Sequence, residues 1–177
     1  MLIFYYRKDF FLMKELNAFE LNENMISTIG KEWMLVTAGD ETNCNTMTVS
    51  WGGVGILWNK PVVYTFIRPQ RYTYEFLESC EYYTMSAYPD EYRAALKLCG
   101  TKSGRDIDKA AQTGLTPVFD EKAPYFSQAR LVLVCRKMYV QDLCEAGALD
   151  KSILANYHGD DYHRMYVSEI EKVLVNE

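Results

Sequence analysis

Short β-rich runs follow one another along most of this chain, and they limit the folds that it can adopt. Residues 44–51 show the pattern best, because hydroxyl side chains alternate with apolar ones through the run CNTMTVSW. A period of two predicts a strand with one polar and one apolar face. Further strands are predicted at residues 33–38, 62–67, 81–87, 116–119, 129–143 and 163–175.

Only short helices separate these runs. They are predicted over residues 74–79, 90–98 and 107–113, with one or two further turns near residues 150–157. We expect Thr73 and Asp90 to cap the first two, Gly100 to stop the second, and a capping box at residues 103–106 to begin the third. The glycines of residues 52–55 predict a bend or a close approach of the backbone.

The order of these elements predicts the fold class. Strict alternation of strand and helix is absent, and no strand is followed by G-x-G-x-x-G, so a Rossmann domain is disfavoured. A length of 177 residues suits one domain. The sequence therefore predicts a single, mostly β, barrel-like domain with short helices.

Composition narrows the possible functions. A net charge of −5 argues against a nucleic-acid binder, and two histidines make a histidine-built metal centre improbable. The five cysteines show no C-x-x-C pair, which indicates free thiols and a cytoplasmic location. The 14 tyrosines, eight phenylalanines and three tryptophans provide flat surfaces for cores, interfaces and planar ligands.

The first twelve residues, MLIFYYRKDFFL, differ in character from the rest of the chain. They lack the features of a signal peptide and are too short to span a bilayer. Because Met13 opens an ordinary N-terminal sequence, we expect residues 1–12 to be an extension from a misplaced start codon, with the domain over residues 13–177. An N-terminal sequence of the native protein that begins before Met13 would refute this.

The segment RPQRYT is the first candidate site. Arg68 and Arg71 flank a turn, and Thr73 adds a hydroxyl near a predicted helix start. Guanidinium groups and free helix N–H groups bind phosphate. Taken alone, the arginine pair is equally consistent with two solvated arginines on a loop.

Two further segments are compatible with the same kind of ligand. The run NTMTVSWGG, residues 45–53, offers hydroxyls, a tryptophan and glycines for the edge of a planar heterocycle, although a half-exposed strand has the same pattern. The run GTKSGRDIDK, residues 100–109, could hold an anion near Lys102, Arg105 or Lys109, or be a plain junction between loop and helix. It lacks the P-loop spacing. His163 could approach a ligand, although a hydrogen-bonded structural histidine is the more common case. A hydrolase is not indicated, because the sequence contains no G-x-S-x-G motif.

Together and in this order, these segments and HRMYVSEI near the C-terminus resemble the flavin reductase-like family. The resemblance covers roughly residues 19–174, and small flavoredoxin-like reductases are the nearest subgroup in character. It implies an FMN-binding split barrel, a homodimer, and FMN near the dimer interface.

The resemblance also implies which residues contact FMN. Arg68, Arg71 and Thr73 would bind the phosphate, with Tyr72 beside the ribityl chain. The remaining implied contacts lie along the ring or approach from the helix side: Asn45, Thr46, Met47, Thr48, Ser50, Trp51, Ser103, Gly104 and Lys109. No catalytic residue is expected, because hydride passes directly from NAD(P)H to the flavin.

Four functions remain open. The first is an NAD(P)H-dependent flavin reductase, and the second is an FMN electron carrier reduced by a partner protein. The third is a split barrel like pyridoxamine-phosphate oxidase, which should carry a second basic phosphate cluster that the sequence does not show. The fourth is a β-barrel interaction module without a cofactor.

Overall fold

The chain folds around antiparallel strands. The computed structural model describes residues 13–159 and 161–176, and the predicted extension at residues 1–12 lies outside them. The strands of the described residues are β1 Lys14–Leu16, β2 Met34–Gly39, β3 Cys44–Val49, β4 Gly52–Leu57, β5 Lys60–Ile67, β6 Tyr82–Ala87, β7 Pro117–Val118, β8 Tyr125–Phe126, β9 Leu131–Asp142 and β10 Arg164–Val175.

The helices are short, as predicted. They are α1 Met25–Ser27, α2 Tyr72–Ser79, α3 Arg93–Thr101 and α4 Lys109–Thr113, with 3-10 turns at Ala18–Glu20, Asp90–Tyr92, Glu145–Gly147 and Lys151–Asn156 and a π turn at Thr28–Glu32. Among the helices of the described residues, none is long and apolar enough to cross a membrane.

One curved sheet forms the body of the domain. Its strands lie in the order β3-β2-β6-β9-β10-β5-β4, β1 pairs with β10, and β7 and β8 form a separate hairpin. Strand β10 changes register against β9 at two points, next to Val167 and next to Ile170. Such irregularities bend a strand and increase its twist. One end of β10 therefore pairs with β5 and the other with β1.

The two faces of the sheet pack into two cores. In β9, Leu131, Leu133 and Cys135 face the inner core, which also includes Tyr83 and Tyr166. The alternating residues Val132 and Val134 face a second core beneath α3, α4 and the β7–β8 hairpin. Burial on both faces explains why β9 begins as a continuous apolar run.

The structure corrects two sequence-based expectations about glycines. Residues 52–55 form most of strand β4 rather than a bend, and the Tyr64 ring lies against Gly53 and Gly55, so the close approach is correct. Gly100 lies inside α3 instead of ending it. An added Cβ at Gly100 would lie 3.2 Å from Cβ of Thr48, so this glycine permits close packing of α3 on β3.

The predicted caps also differ. Helix α2 begins at Tyr72, so Thr73 lies inside its first turn and not at the N-cap position, and its hydroxyl accepts a hydrogen bond from Asn45 Nδ2 at 2.8 Å. Helix α4 begins only at Lys109, since the Asp108 carboxylate accepts the N–H of Ala111, and residues 103–106 form a turn. Asp90 opens a 3-10 turn ahead of α3 rather than capping that helix directly.

Candidate functional site

Three adjoining cavities follow strand β3, which lies at an edge of the sheet. The first, of about 240 Å³, we call the cationic cavity; it is lined by Asn45, Met47, Gln70, Arg71, Tyr72, Thr73, Thr101, Lys102, Ser103, Gly104 and Lys109. The second, of about 200 Å³, we call the aromatic cavity; it is lined by Met47, Thr48, Val49, Ser50, Trp51, Phe66, Arg68 and His163. The third, which we call the acidic-rim cavity, has Glu41 and Asp108 among its lining residues.

Arg71 enters the cationic cavity from the turn before α2. Its Nη2 donates to the carbonyl of Gly100 at 2.8 Å, which fixes the guanidinium between α2 and α3. Burial, and then the charge of Arg68, lower the pKa of Arg71 below its ordinary value. The guanidinium has no ion pair among the described residues, so its charge is uncompensated.

Lys109 reaches the same cavity from the start of α4. Its Nζ donates to the carbonyls of Thr46 at 2.6 Å and Cys99 at 2.9 Å. Only 6% of the residue is exposed, and this burial lowers its pKa to about 8. A buried ammonium held by carbonyls alone is costly unless an anion joins it.

The cationic cavity is therefore built for an anion. Arg71, Lys102 and Lys109 line it, and no acidic residue of the described chain does. Helix α2 begins beside them without a side-chain cap, so its first N–H groups are available as further donors. Arginine, lysine and free N–H groups together match the oxygens of a phosphate.

Gly104 closes the wall of this cavity against Asn45. A Cβ added at Gly104 would lie 2.0 Å from Oδ1 of Asn45 and 3.2 Å from Cδ1 of Tyr72. Asn45 is itself held by its bond to Thr73. The glycine is required because the loop backbone lies directly on β3 and α2.

The aromatic cavity contains Arg68, which the turn directs away from Arg71. Arg68 pairs with Asp161 at 2.6 Å and lies over the Tyr157 ring. The His163 ring packs at a tilt against Trp51 with ring centroids 5.1 Å apart, and its Nδ1 lies 3.2 Å from the Tyr157 hydroxyl. Burial, and then Arg68, lower the pKa of His163 to about 4, so the imidazole is neutral at pH 7.

The hydroxyls of β3 are occupied within the protein. Thr46 Oγ1 lies 2.9 Å from Thr37 Oγ1 and donates to the carbonyl of Val36, while Thr48 Oγ1 donates to the carbonyl of Leu96. The backbone offers an alternative. Because the Thr46 carbonyl turns toward Lys109, antiparallel alternation places the backbone groups of Thr48 at the same edge of β3.

Every site residue predicted from the sequence lines one of these three cavities. Thr46 lines only the acidic-rim cavity, and Arg68 lines the aromatic cavity rather than the cationic one. The sequence analysis missed Phe66, Gln70 and Thr101 and undervalued His163, whose site role depends on contacts with distant strands. Gln70 lies within RPQRYT and Thr101 within GTKSGRDIDK, so position inside these segments was the signal available for the two residues.

Comparison with known families decides the assignment. The family profile described as "Flavin reductase like domain" matches residues 26–177. The chain belongs to the flavin reductase-like family. The resemblance identified from the sequence motifs is thus confirmed. A search of curated protein sequences finds no significant match to this chain.

Solved structures of this family share the fold. Flavoredoxin from Methanosarcina acetivorans is 18% identical with a TM-score of 0.66, over 82% of this chain and 69% of that one. The FMN-binding domain of a flavin reductase-like enzyme from Shewanella baltica is 15% identical with a TM-score of 0.65, over 93% and 77%. The NADH:FAD oxidoreductase SgcE6 from Streptomyces globisporus is 17% identical with a TM-score of 0.58, over 80% and 73%. These similarities confirm the mostly β, single-domain split barrel.

The buried Lys109 predicts a pH-dependent stability. Its pKa is about 8 in the folded protein against 10.5 without burial, so the unfolded chain binds more protons between those values. The free energy of unfolding of the ligand-free protein should therefore rise from pH 8 to pH 10.5, by on the order of 2–3 kcal/mol from this residue. Urea denaturation of wild type and Lys109→Met across this range measures the difference.

The control variant is Lys102→Met, which removes an exposed lysine from the same cavity. The pH-dependent gain should persist in Lys102→Met and disappear in Lys109→Met. Parallel curves for wild type and Lys109→Met would show that Lys109 is solvated.

Proposed function

We propose that this protein binds FMN and acts as a flavin reductase, accepting hydride from NAD(P)H and passing electrons to free flavin or another acceptor. The observation that carries the proposal is the cationic cavity, where three cationic side chains converge without an acidic residue in a protein of net charge −5. A phosphate monoester carries about −1.5 to −2 charges at pH 7 and would compensate most of this charge.

The residues present fit a flavin mononucleotide along β3. Arg71, Lys109 and the first N–H groups of α2 would hold the phosphate, and Gly104 keeps the wall open. Tyr72 lines the cationic cavity beside them. The adjoining aromatic cavity would take the ring, with backbone groups of Thr48 at its polar edge in place of the threonine hydroxyls.

The chain's own contribution is to bind and orient. When bound, FMN supplies the hydride-accepting chemistry, and the protein sets its position and surroundings. Arg68 is held by Asp161 on the aromatic side, where its charge lies near the ring rather than near the phosphate. Trp51 and the neutral His163 line this cavity with their rings inclined at 50° to each other, and no general acid or base is required.

An anaerobic titration tests the proposal. The FMN-loaded protein is titrated with NADH and then NADPH while the visible absorption band of the flavin is followed. We expect one equivalent of one of these nucleotides to bleach the band rapidly. Failure of the protein to load FMN would contradict the proposal.

The second candidate is an electron carrier that holds FMN and is reduced by a partner protein. It is favoured by flavoredoxins among the similar structures, from Methanosarcina acetivorans and Desulfovibrio vulgaris. The same titration separates the two functions. A flavin that is bleached by dithionite but by neither nucleotide would identify the carrier.

We further propose that the protein is a homodimer. Trp51, Ile56 and Trp58 are exposed on and beside β4, an edge strand of the sheet. Exposed aromatic residues next to an unpaired edge are typical of subunit interfaces. Because Trp51 also lines the aromatic cavity, such an interface would lie beside the flavin ring.

A further inference from the structure

The ion pair of Arg68 and Asp161 is oriented with respect to the aromatic cavity. Among the described residues, Arg68 is the only charged side chain that lines this cavity, since the imidazole of His163 is neutral at pH 7. Asp161 pairs with Arg68 at 2.6 Å but does not line the cavity. The positive member of the pair therefore faces the cavity, and the negative member lies behind it.

Both members of the pair are held in place. Nη2 of Arg68 donates to the carbonyl of Asn156 at 2.6 Å, and the guanidinium lies over the Tyr157 ring with Cζ 5.4 Å from the ring centroid. The Asp161 carboxylate also accepts the N–H of His158 at 2.8 Å. The side chains of Arg68 and Asp161 are only 24% and 21% exposed, so salt and water screen their charges less than those of a surface pair.

His163 indicates the sign of the electrostatic potential inside the cavity. After burial, the charge of Arg68 has the larger effect on the pKa of His163 and lowers it, whereas Asp161 has a smaller effect and raises it. A positive potential disfavours the protonated form of an imidazole and so lowers its pKa. The ion pair thus leaves a net positive potential in the aromatic cavity instead of cancelling to zero.

A positive potential at this place bears on the reduction of a bound flavin. Under the proposed function, the ring of FMN would lie in the aromatic cavity. Hydride transfer moves one hydrogen nucleus and two electrons, so the ring system gains one negative charge while the nicotinamide of the donor becomes a cation. A fixed cation stabilises a negative charge that develops in a site partly shielded from water.

From this arrangement we infer that Arg68 stabilises the reduced form of the bound flavin and that Asp161 limits this stabilisation, so that the pair sets the midpoint potential of the flavin. The inference rests on the proposed function, because it requires FMN with its ring in the aromatic cavity. Arg68 acts on the flavin through its own charge. Asp161 acts only through Arg68 and is a positioning residue.

The midpoint potential of bound FMN at pH 7 tests the inference. It is measured during slow anaerobic reduction with dithionite, in equilibrium with a reference dye of known potential. Arg68→Gln removes the positive charge and should weaken the binding of reduced FMN about tenfold relative to oxidised FMN, which lowers the potential by about 30 mV.

Asp161→Asn should shift the potential in the opposite direction, because it removes the negative charge that opposes Arg68. The shift should be smaller than that of Arg68→Gln, as is the effect of Asp161 on the pKa of His163. Burial is the largest cause of that low pKa, so His163 should stay neutral at pH 7 in both variants.

Two further variants separate charge from structure. Arg68→Lys keeps the positive charge but loses the forked contacts of the guanidinium, and should keep the relative binding of the two flavin forms within about twofold of wild type. Lys151→Gln removes an exposed positive charge from the 3-10 turn Lys151–Asn156, which lines none of the three cavities, and should leave the potential unchanged.

The outcomes distinguish the inference from the proposed function. If FMN binds but Arg68→Gln and Asp161→Asn keep the wild-type potential or shift it in the same direction, the inference is overturned while the proposed function stands. A shift in Arg68→Lys as large as that in Arg68→Gln would overturn it as well, because the charge would not be the cause. If the wild-type protein binds no FMN, both are overturned.

Discussion

Replacing Arg71 by alanine should weaken FMN binding about ten- to a hundredfold. The guanidinium is fixed on the Gly100 carbonyl in a cavity without acidic residues, and the loss of one charge-assisted phosphate bond costs on the order of 1.5–3 kcal/mol. The dissociation constants of FMN and riboflavin, measured on the same protein, isolate the phosphate. Riboflavin affinity should hardly change, so the preference of the protein for FMN over riboflavin should fall by the same factor.

Arg68→Ala is the matched control. Arg68 lies three residues earlier in the chain but lines the aromatic cavity, where it pairs with Asp161. Its removal should change FMN and riboflavin binding equally and preserve the preference for FMN. A loss of preference in Arg68→Ala rather than Arg71→Ala would move the phosphate to the aromatic cavity, whereas the sequence analysis assigned both arginines to the phosphate. An unchanged preference for FMN in both variants would mean that the phosphate binds elsewhere on the protein.

Replacing Gly104 by alanine should destabilise the fold and impair FMN binding together. The new Cβ would lie 2.0 Å from Asn45 Oδ1, and Asn45 is held in place by Thr73. To relieve this clash, the loop that carries Gly104 must move away from β3. We expect the free energy of unfolding to fall by about 1–3 kcal/mol. Because Gly104 lines both the cationic and the acidic-rim cavities, the same movement displaces Lys102 and Ser103.

Chemical denaturation and FMN titration of Gly104→Ala measure the two effects. The double variant Gly104→Ala with Asn45→Ala removes the clashing amide and should recover much of the lost stability. Gly147→Ala is the control, because no atom lies within 4 Å of an added Cβ there. Wild-type stability in Gly104→Ala would mean that Asn45 can rotate away freely.

Local patterns in the sequence determined the strands and identified the segments that line the candidate site. The alternation in residues 44–51 predicts β3 because side chains of a strand point to opposite faces every second residue. The mostly apolar run in residues 129–143 predicts β9, and the structure adds that its first residues are buried on both faces. The three site segments were also identified locally, since arginine pairs, hydroxyl runs and glycines are short-range signals. Caps were predicted less well, because several side chains near each helix start compete for the same N–H groups.

The role of each site residue was decided by tertiary structure. Thr46 and Thr48 have identical side chains, and from the sequence both hydroxyls were equally good candidates for contacts with a ligand. In the structure, carbonyl groups of β2 and α3 accept hydrogen bonds from these hydroxyls and occupy them. Arg68 and Arg71 differ by three residues, and the turn between them directs them into different cavities. In the sequence, Lys109 is an ordinary residue of a charged segment. The packing of α4 on α3 buries its ammonium against the carbonyls of Thr46 in β3 and Cys99 in α3. These outcomes depend on contacts between segments tens of residues apart, and a local pattern carries no information about such contacts.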